Sequence, residues 1–471
     1  MADIITGDCL EVLRGIDSCS IDACVTDPPA GIAFMGKAWD GSKGGRDQWI
    51  AWLASVMAEV LRVLKPGGHA IVWALPRTSH WTGMALETAG FEVRDCLTHL
   101  FGSGFPKSLD VSKAIDKAAG ADRQQVGSYT IGGNAGVSCK DKGGTYGVGA
   151  GTAPPIDVAI TAPSTEDAKR WQGWGTALKP AAEMWWLCRK PLGGTVAANV
   201  LEHGTGALNV DGCRVGHSDP LVTAERTAPR YSGATMNGGK RGGVQSAVAS
   251  ADPAGRWPPN VLLTHDPNCG AQCVDACPVR MLDEQSGDRP VGSVPAVTGA
   301  RAVYGGLAGY QSEPRSMGDS GGASRFFPRF RYSPKPSTSE REAGLGDVVR
   351  VDPSKVTGRK PGSNGQDNPR AGMRGSERSN IHPTVKSIDL MRWLCRLITP
   401  PGGLVVDPFC GSGTTGMACK IEGFRFVGIE QSAQYADIAG RRIAACRFGK
   451  AEPIASPKVK ADQRQMGLFD D

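Results

Sequence analysis

The pattern of apolar positions predicts alternating strands and helices near the start of the chain. The runs IDACVT, ending at Thr26, and HAIVWAL, at 69–75, are short and continuously apolar, which is typical of parallel strands buried on both faces. Between them, QWIAWLASVMAEVLRVLK has apolar residues at helical spacing and meets a stop signal at Pro66-Gly67-Gly68. Two further strands are predicted, one from Phe91 and one after Met184.

A second α/β segment is predicted near the end of the chain, at 381–447. IDLMRWLCRLI predicts a helix that ends before Pro400-Pro401-Gly402-Gly403. GLVVD, TTGMACKIEG and FRFVGIE then predict a strand, a helix and a strand, which together form a βαβ unit with a right-handed crossover. SAQYADIAGRRIAACRF predicts a final helix.

The middle of the chain has a different composition. Residues 196–380 contain long stretches rich in glycine, serine and charged residues, which predict an irregular, loop-rich region between the two α/β segments. The tail, 448–471, is polar and is predicted to fray.

Composition limits the class of protein further. The chain has 471 residues, 40% of them hydrophobic, so two or three domains with a sizeable core are possible. A net charge of +6 is modest and is weak evidence for a polyanionic partner. The start, MADIITGDCLEVL, has no secretory pattern, and no run of about 18 apolar residues occurs. We therefore expect a cytoplasmic protein, without a membrane partner, whose 14 cysteines are reduced and mostly small buried apolar residues.

One group of cysteines has a second interpretation. His265, Cys269, Cys273 and Cys277 lie within 13 residues, in HDPNCGAQCVDACP, and four such ligands can form a zinc site. The three-residue spacings are less typical of zinc than CxxC, so incidental thiols in a helix or turn are the favoured interpretation. No metal is therefore expected.

A glycine-rich motif follows the predicted strand GLVVD. It reads Asp407-Pro-Phe-Cys-Gly-Ser-Gly-Thr-Thr-Gly416 and opens a helix, and its glycines fit the G-x-G-x-x-G spacing. Glycine suits such a turn because the backbone bends tightly and approaches a ligand closely. Glu430 ends the next strand, where an acid can accept hydrogen bonds from ribose hydroxyls. The motif by itself indicates only a nucleoside-type cofactor.

A second motif, Thr26-Asp27-Pro28-Pro29-Ala30, ends the predicted strand IDACVT. Open α/β sheets bind ligands at the carboxyl ends of their strands, and the two prolines fix the backbone there. The motif therefore holds a carboxylate rigidly at the edge of the sheet. A plain strand-ending turn explains it equally well when it is considered alone.

The two motifs together resemble the beta class of DNA amino-methyltransferases, which modify N6 of adenine or N4 of cytosine. DPPA is similar to the catalytic D/N/S-P-P-Y/F/W motif of that family, and DPFCGSGTT is similar to its cofactor-binding motif. ITGDCL, containing Asp8, and HPTVK, at 382–386, resemble two further family motifs, although Ser387 replaces a final proline. The resemblance covers roughly 200 residues, the two ends well and the middle thinly, as one catalytic domain split by an insertion would give.

The resemblance implies a fold, a cofactor and a substrate. It implies an α/β, Rossmann-like S-adenosylmethionine-dependent methyltransferase sheet built from both chain ends. On this basis 1–195 is the catalytic half, 196–380 the target-recognition insertion and 381–447 the cofactor-binding half. The implied substrate is N6 of adenine in double-stranded DNA, and a homodimer and a cognate restriction nuclease are further partners that the resemblance raises.

The same resemblance assigns roles to individual residues. It implies catalytic roles for Asp27, Pro28, Pro29 and Ala30. It implies that the cofactor is bound by Asp8, His382, Thr384, Lys386, Asp407, Phe409, Gly411, Gly413, Thr414 and Glu430. For these residues to share one ligand, the strands before Asp27 and Asp407 must be neighbours at the switch point of one sheet.

One position departs from the family pattern. The last residue of the catalytic motif is aromatic in the family and stacks on the flipped base, whereas this chain has Ala30. A base-stacking ring contributes roughly 1–3 kcal/mol per base. Phe34 or Trp39, in the following GIAFMGKAWD, is the predicted replacement.

Several alternatives stay open on the sequence. Asp27, rather than serine, favours adenine over N4 of cytosine, and the absence of a Pro-Cys pair argues against methylation of cytosine C5. A homologue with impaired catalysis, an enzyme acting on RNA or on a protein amide, and a nicotinamide dehydrogenase are less favoured. The basic, aromatic stretch at 325–335 is predicted to be a half-buried strand rather than a DNA-facing surface, and the loops 221–256 and 341–378 are better candidates for phosphate contacts.

Overall fold

The computed structural model describes most of both chain ends and parts of the middle. The described residues are 2–32, 38–41, 43–102, 108–131, 156–216, 255–266, 269, 272–275, 277–289, 321–330, 342, 344–346, 348, 350–351, 379–382 and 384–446. Their strands are β1 Ala2–Thr6, β2 Ile21–Thr26, β3 Leu64–Ala74, β4 Glu92–Leu100, β5 Gln125–Ile131, β6 Ile156–Thr161, β7 Ala182–Arg189, β8 Val261–Thr264, β9 Arg329–Phe330, β10 Leu404–Asp407 and β11 Arg425–Glu430.

Helices connect most of these strands. They are α1 Cys9–Arg14, α2 Arg46–Val63, α3 Ser79–Thr88, α4 Val111–Ala118, α5 Glu166–Arg170, α6 Val196–His203, α7 Pro278–Ser286, α8 Ile388–Ile398, α9 Thr414–Glu422 and α10 Ala433–Ala445. Short 3-10 turns occur at Ala38–Asp40, Pro76–Thr78, Asp211–Cys213 and Ala323–Phe326. No helix in the described part of the chain is both long enough and apolar enough to cross a membrane.

The main sheet combines strands from the two ends of the chain. Its order is β1-β11-β10-β2-β3-β7-β4-β8-β9. The first five strands run parallel, β7 is antiparallel to both β3 and β4, and β8 and β9 continue parallel to β4. Strands β5 and β6 form a separate antiparallel pair. The predicted α/β sheet assembled from both chain ends is therefore confirmed.

The two chain ends are joined where β1 pairs with β11 and where β10 pairs with β2, and the second joint carries the two motifs. Val405 pairs with Ala23 and Val406 with Cys24, in parallel. From β10 the chain passes through α9 to β11 on one side, and from β2 it passes through α2 to β3 on the other. The winding direction therefore reverses between β10 and β2, so their carboxyl ends border a crevice at a switch point. This arrangement confirms the predicted neighbourhood of the two motif-bearing strands.

The sheet is buried on both faces near this joint. All six residues of β2 are buried, which explains its mostly apolar sequence, and the buried carboxylate of Asp22 pairs with Lys65. One face packs Ala23 and Val25 with residues of α8 and α9, and the other packs Cys24 with residues of α2. Helix α8 supplies its inner face at helical spacing, through Leu390, Leu394 and Leu397 among others.

Two details differ from the sequence prediction. Helix α2 ends at Val63, three residues before the predicted stop, and β3 runs through Pro66-Gly67-Gly68. The carbonyl of Gly68 accepts a 2.9 Å hydrogen bond from the N–H of Lys190, which directly follows β7. Because β7 pairs with β3, Pro66, Gly67 and Gly68 continue the strand. In addition, β8 comes from the region 196–380, which is predicted to be loop-rich, and it extends the main sheet beside β4.

Candidate active site

A hydrogen bond joins the two motifs at the switch point. The hydroxyl of Thr26, the last residue of β2, donates to Asp407 Oδ1 at the end of β10 over 2.7 Å. Asp407 also accepts from Thr415 Oγ1 at 2.6 Å and from Phe409 N–H at 3.1 Å. Burial raises the pKa of Asp407 to about 6, although these hydrogen bonds lower it. Asp407 therefore fixes the start of the glycine-rich loop against the catalytic motif.

A cavity of about 590 Å³ opens above this joint. It collects residues from both chain ends, as one shared ligand site requires. Eleven of the fourteen predicted site residues line it: Asp8, Asp27, Pro29, His382, Thr384, Lys386, Asp407, Phe409, Gly411, Thr414 and Glu430.

Asp27 faces the cavity beside a buried cation. Lys386 Nζ lies 3.4 Å from Asp27 Oδ2 and 3.4 Å from Glu183 Oε1. The same ammonium lies 4.0 Å from the ring centroid of Trp73 and 5.6 Å from that of Trp185. Two carboxylates and two indoles thus surround one positive charge, and each of them attracts a cation.

The two carboxylates that share Lys386 have different ionisation behaviour. Burial raises the pKa of Asp27 to about 6, against the lowering effect of Lys386, and the charge of Glu183 raises it further. Burial also acts to raise the pKa of Glu183, but Lys386 and His99 together lower it to about 2. Glu183 is therefore the permanent anion of the pair, and Asp27 is the carboxylate that titrates near neutral pH.

The loop after β10 approaches the acid at the end of β11. Glu430 Oε2 accepts from Gly411 N–H at 2.9 Å, and Oε1 accepts from Ser432 N–H at 2.8 Å. The backbone of Gly411 has φ +55°, in the left-handed region. Glu430 therefore links the glycine-rich loop to the start of α10, and burial raises its pKa.

Aromatic rings enclose the opposite wall. His382 stacks on Trp39, with centroids 6.2 Å apart and planes 16° apart, and meets Tyr435 edge-on at 4.7 Å. His382 Nδ1 lies 2.8 Å from the Thr384 carbonyl, which can only accept, so Nδ1 carries the hydrogen. A Cβ on Gly411 would lie 2.9 Å from His382 Nε2, so only glycine fits at this position.

A hydrogen bond between Gly31 and Asp40 holds Trp39 close to the catalytic motif. Asp40 Oδ1 accepts a 2.9 Å hydrogen bond from Gly31 N–H, directly after Ala30. The neighbouring Trp39 lines the cavity, and its buried indole N–H has no hydrogen-bond partner among the described residues. Phe34, the other predicted ring, lies outside the described residues.

Three predicted site residues, Pro28, Ala30 and Gly413, do not line the cavity. Pro28 is buried, and Ala30 is half-buried away from the cavity wall. Gly413 has φ +79° at the start of α9, and a Cβ there would lie 2.9 Å from Ala439 Cβ. Gly413 thus allows close packing of α9 against α10. Asp8 lines the cavity, but its Oδ1 also caps α1 through Leu10 and Glu11 N–H groups.

The structure adds residues that the sequence did not indicate. Glu183 was missed because nothing in AAEMWWLCRK marks its contact with Lys386, more than two hundred residues later. Trp52 of α2 lines the cavity and packs on Phe409 with centroids 5.7 Å apart. Arg442, fully buried in α10, donates to the carbonyl and the hydroxyl of Ser412 and so supports the glycine-rich loop from below. Such contacts join elements that only the fold brings together.

The basic, aromatic stretch near 325–335 is described only to 330. Arg329 and Phe330 form β9, as the strand interpretation predicts. Arg325 is buried and donates to the Gly322 and Arg289 carbonyls, so it holds the local fold rather than facing solvent. Arg331, Tyr332 and Lys335 lie outside the described residues, as do the loop 221–254 and most of 341–378.

A wound sheet with a glycine-lined, acidic cavity at its switch point defines a Rossmann-like protein with a site for a nucleoside-type ligand. The family model described as DNA methylase, of the N6/N4 type, matches residues 21–108 and 309–441, which include both motifs. Over these two segments, which together make up just under half of the chain, the chain resembles the N6/N4 DNA methylase family.

Curated relatives match shorter stretches. The DNA adenine methyltransferase YhdJ of Escherichia coli (strain K12) is 32% identical over 119 residues, which are 25% of this chain and 40% of that protein. The type II methyltransferase M2.DpnII of Streptococcus pneumoniae is 42% identical over 64 residues, 14% of this chain and 24% of that protein. The chain thus spans less than half the length of either relative.

Solved structures show a more distant likeness. The PvuII DNA methyltransferase (cytosine-N4-specific) is 12% identical, with 93% of this chain and 85% of that chain covered and a TM-score of 0.39. The M1.HpyAVI–SAM complex is 13% identical, with 94% and 99% covered and a TM-score of 0.34.

Proposed function

We propose that this protein is an S-adenosylmethionine-dependent DNA methyltransferase that methylates N6 of adenine in duplex DNA. The observation that carries the proposal is the shared cavity. Asp27 of the catalytic motif and Gly411 of the glycine-rich loop line the same cavity. The strands that precede them, β2 and β10, are neighbours at the switch point. A methyl donor and a target amine have to meet in one such space.

The cavity residues fit the proposed cofactor. Glu430 ends β11 beside the loop, where an acid can bind ribose hydroxyls. The lining contains four acidic residues, Asp8, Asp27, Asp407 and Glu430, against the two cations Lys43 and Lys386, a balance that favours a sulfonium ligand. Phe409, Trp52 and Tyr435 offer rings for a nucleobase. When bound there, S-adenosylmethionine supplies an electrophilic methyl group.

The residues around Asp27 explain how a weakly nucleophilic amine would be prepared. The lone pair of an exocyclic amine is delocalised into the ring, so an acceptor must hold its hydrogens and shift electron density back to nitrogen. Ionised Asp27 can accept such a charge-assisted hydrogen bond, and the backbone carbonyl of Pro28 is a second candidate acceptor. A methylated exocyclic amine carries one proton too many, and Asp27, whose pKa is raised to about 6, would be suited to take it.

Lys386 and Glu183 would position Asp27 rather than touch the amine. The ammonium holds Asp27 Oδ2 at 3.4 Å, which leaves Asp27 Oδ1 for the substrate. Glu183 anchors the ammonium from the other side. The rate then comes from positioning and electrostatics, without a covalent enzyme intermediate.

A stacking ring for a flipped base is the remaining requirement of the proposal. Bases inside a duplex cannot reach such a cavity, so the target must rotate out of the stack. Trp39 occupies the wall next to the catalytic motif and supports this part of the proposal in place of an aromatic residue at Ala30.

The preference for adenine rests on Asp27 at the first motif position and is consistent with the name of the YhdJ relative. N4 of cytosine is the alternative target. Double-stranded DNA as partner, a homodimer, a cognate restriction nuclease and a cytoplasmic location also remain proposals.

The experiment is to express the full chain in a host that lacks DNA methylation and to read its DNA with modification-sensitive sequencing. We expect N6-methyladenine at one sequence context. Asp27→Ala should reduce the rate at least a hundredfold, roughly the effect of removing one electrostatic group, whereas Asp17→Asn on the surface should leave it unchanged. N4-methylcytosine in the reads would replace adenine as the target, and unmodified DNA at full expression would contradict the proposal.

A further inference from the structure

Four metal-ligating side chains converge at a place far from the switch point along the sheet. His265, Cys269, Cys273 and Cys277 each bring one ligand atom into a group whose members all lie within 4.8 Å of one another. The group follows β8, which lies near the end of the strand order opposite to β1 and β11. We propose that these four residues bind one zinc ion, and that the site is structural.

The separations agree with a tetrahedral centre. Zn–S bonds of about 2.3 Å and a Zn–N bond of about 2.0 Å place the sulfur atoms about 3.8 Å apart and the nitrogen about 3.5 Å from each sulfur. His265 Nδ1 lies 3.3 Å from Cys273 Sγ and 3.6 Å from Cys277 Sγ. The expectation of no metal assumed that the spacing of the cysteines was unfavourable, and their placement in the fold removes that objection.

Local structure brings the ligands together across 13 residues. His265 directly follows β8, and its N–H donates to the Phe330 carbonyl at 3.0 Å, which anchors it to β9. Cys277 is fully buried and precedes α7, where Met281 N–H donates to its carbonyl at 2.9 Å. Cys269 N–H donates to the Asp266 carbonyl at 3.0 Å in the connecting turn. The end of a strand, a turn and the start of a helix therefore bring the four ligand atoms to a common centre.

The chemistry of the ligands favours zinc. Thiolates and imidazole suit a borderline-soft ion, and three cysteines with one histidine form a closed four-coordinate set with no position for a substrate. Such a centre carries net negative charge, because three thiolates exceed the charge of the ion. Arg280 Nη1 donates to the Cys273 carbonyl at 3.1 Å and also pairs with Asp275 and Glu284, so the guanidinium braces the chain between Cys273 and Cys277.

The structure around β8 and α7 has a small apolar core. The apolar cluster here has only three buried members, Leu263, Cys277 and Val279, in the described residues. A four-residue strand and a nine-residue helix bury too little apolar surface to stay folded alone, and metal binding supplies folding free energy in such cases. Zinc would fix the direction in which the chain leaves the edge of the main sheet.

The site also adjoins a polar chain that reaches Asp27. Thr264 Oγ1, one residue before His265, lies 2.5 Å from His99 Nε2. His99 Nδ1 lies 3.5 Å from Glu183 Oε2, and Glu183 contacts Lys386. Holding His265 in place therefore also holds the strand end that packs against His99. The zinc proposal itself does not depend on the proposed function.

The test measures metal in the full-length protein. We expect one zinc per chain after purification without chelators, by elemental analysis. Cys273→Ser and Cys277→Ser should lose the zinc, whereas Cys19→Ser, an exposed cysteine on another part of the fold, should keep it. If the ligand variants fail to fold, the wild-type protein decides: after removal of metal, Co²⁺ should bind at one equivalent with thiolate-to-cobalt charge-transfer bands and visible bands of a tetrahedral centre.

Three results would overturn the proposal. The first is wild-type protein from zinc-supplemented cells that contains no stoichiometric zinc and gives no thiolate bands with Co²⁺. The second is a disulfide among Cys269, Cys273 and Cys277 in the freshly purified protein. The third is loss of zinc from Cys19→Ser to the same extent as from Cys277→Ser. Activity is not a readout here, so failure of the methyltransferase proposal would leave this test intact.

Discussion

Thr26 Oγ1 donates a 2.7 Å hydrogen bond to Asp407 Oδ1, although the two residues are 381 positions apart in the chain. Both side chains are buried, with exposed fractions of 0% and 2%. The bond ties the catalytic motif to the glycine-rich loop where β2, from one chain end, pairs with β10, from the other.

Thr26→Val keeps the shape of the side chain and removes the donor. We expect a loss of about 1–3 kcal/mol in the free energy of unfolding, because a buried carboxylate oxygen loses one of its partners. Chemical denaturation measures this. Thr88→Val, at the exposed end of α3, is the control and should change stability by no more than about 0.5 kcal/mol. Equal effects of the two substitutions would show that the bond contributes nothing.

The pKa of Asp27, raised to about 6, predicts an acid limb in the pH dependence of methyl transfer. The ionised form accepts the hydrogen bond from the amine, so kcat/KM should fall about tenfold for each pH unit below 6. The measurement is initial rate against pH on a duplex substrate. A rate that stays constant from pH 7 to pH 5 would exclude Asp27 as the acceptor.

Unfolding should not cause that acid limb. Asp27 and Asp407 have folded-state pKa values of about 6, above the unfolded value, so both groups favour the folded state more as the pH falls from 6 towards 4. Glu183 and Asp116 have the opposite shift, to about 2, and their stabilisation is lost only as the pH falls from about 4.5 towards 2. The thermal midpoint measured between pH 7 and pH 5 should therefore not drop on account of these groups.

Lys386 and Glu183 should move the acid limb in opposite directions. Lys386→Met removes the cation that lowers the pKa of Asp27, so the limb should shift to higher pH and activity at pH 7 should fall. Glu183→Gln removes an anion that raises the pKa of Asp27, so the limb should shift to lower pH. A purely structural role would reduce activity at every pH without moving the limb.

Gly411 and Gly423 offer a matched pair for testing the loop. Both have left-handed backbones, with φ +55° and +80°, so alanine should cost roughly 1–2 kcal/mol of stability at either position. A Cβ at Gly411 would also meet His382 at 2.9 Å, whereas nothing lies within 4 Å at Gly423. We therefore expect only Gly411→Ala to weaken binding of S-adenosylmethionine, measured by calorimetry. Equal affinity in both variants would argue against close approach of the ligand at Gly411.

Trp39 is expected to carry the stacking that Ala30 does not provide. Trp39→Ala should weaken binding to a duplex with a mismatched target base by about 5- to 150-fold, the equivalent of roughly 1–3 kcal/mol. Trp39→Phe retains a ring and should retain most of the affinity. If Trp39→Ala and Trp39→Phe bind alike, the stacking residue lies elsewhere, and Phe34 becomes the next candidate.

Local sequence was sufficient for the elements at both chain ends. The mostly apolar run of β2 and the helical spacing of apolar residues in α8 both show which residues are buried. The bounds of these elements could therefore be predicted to within a few residues. The motifs around Asp27 and Gly411 were recognisable for the same reason. Each combines a strand end with a backbone constraint, proline in one and glycine in the other.

Contacts between distant segments were decided only by the tertiary structure. No local pattern pairs Lys386 with Glu183, supports Ser412 with Arg442, or places Gly413 against Ala439. The sequence also could not choose between incidental thiols and a metal centre at His265 and Cys277. Ligation depends on distances of a few ångströms in space, and these are set by the strand and the helix that hold the ligands, whereas sequence spacing only limits them.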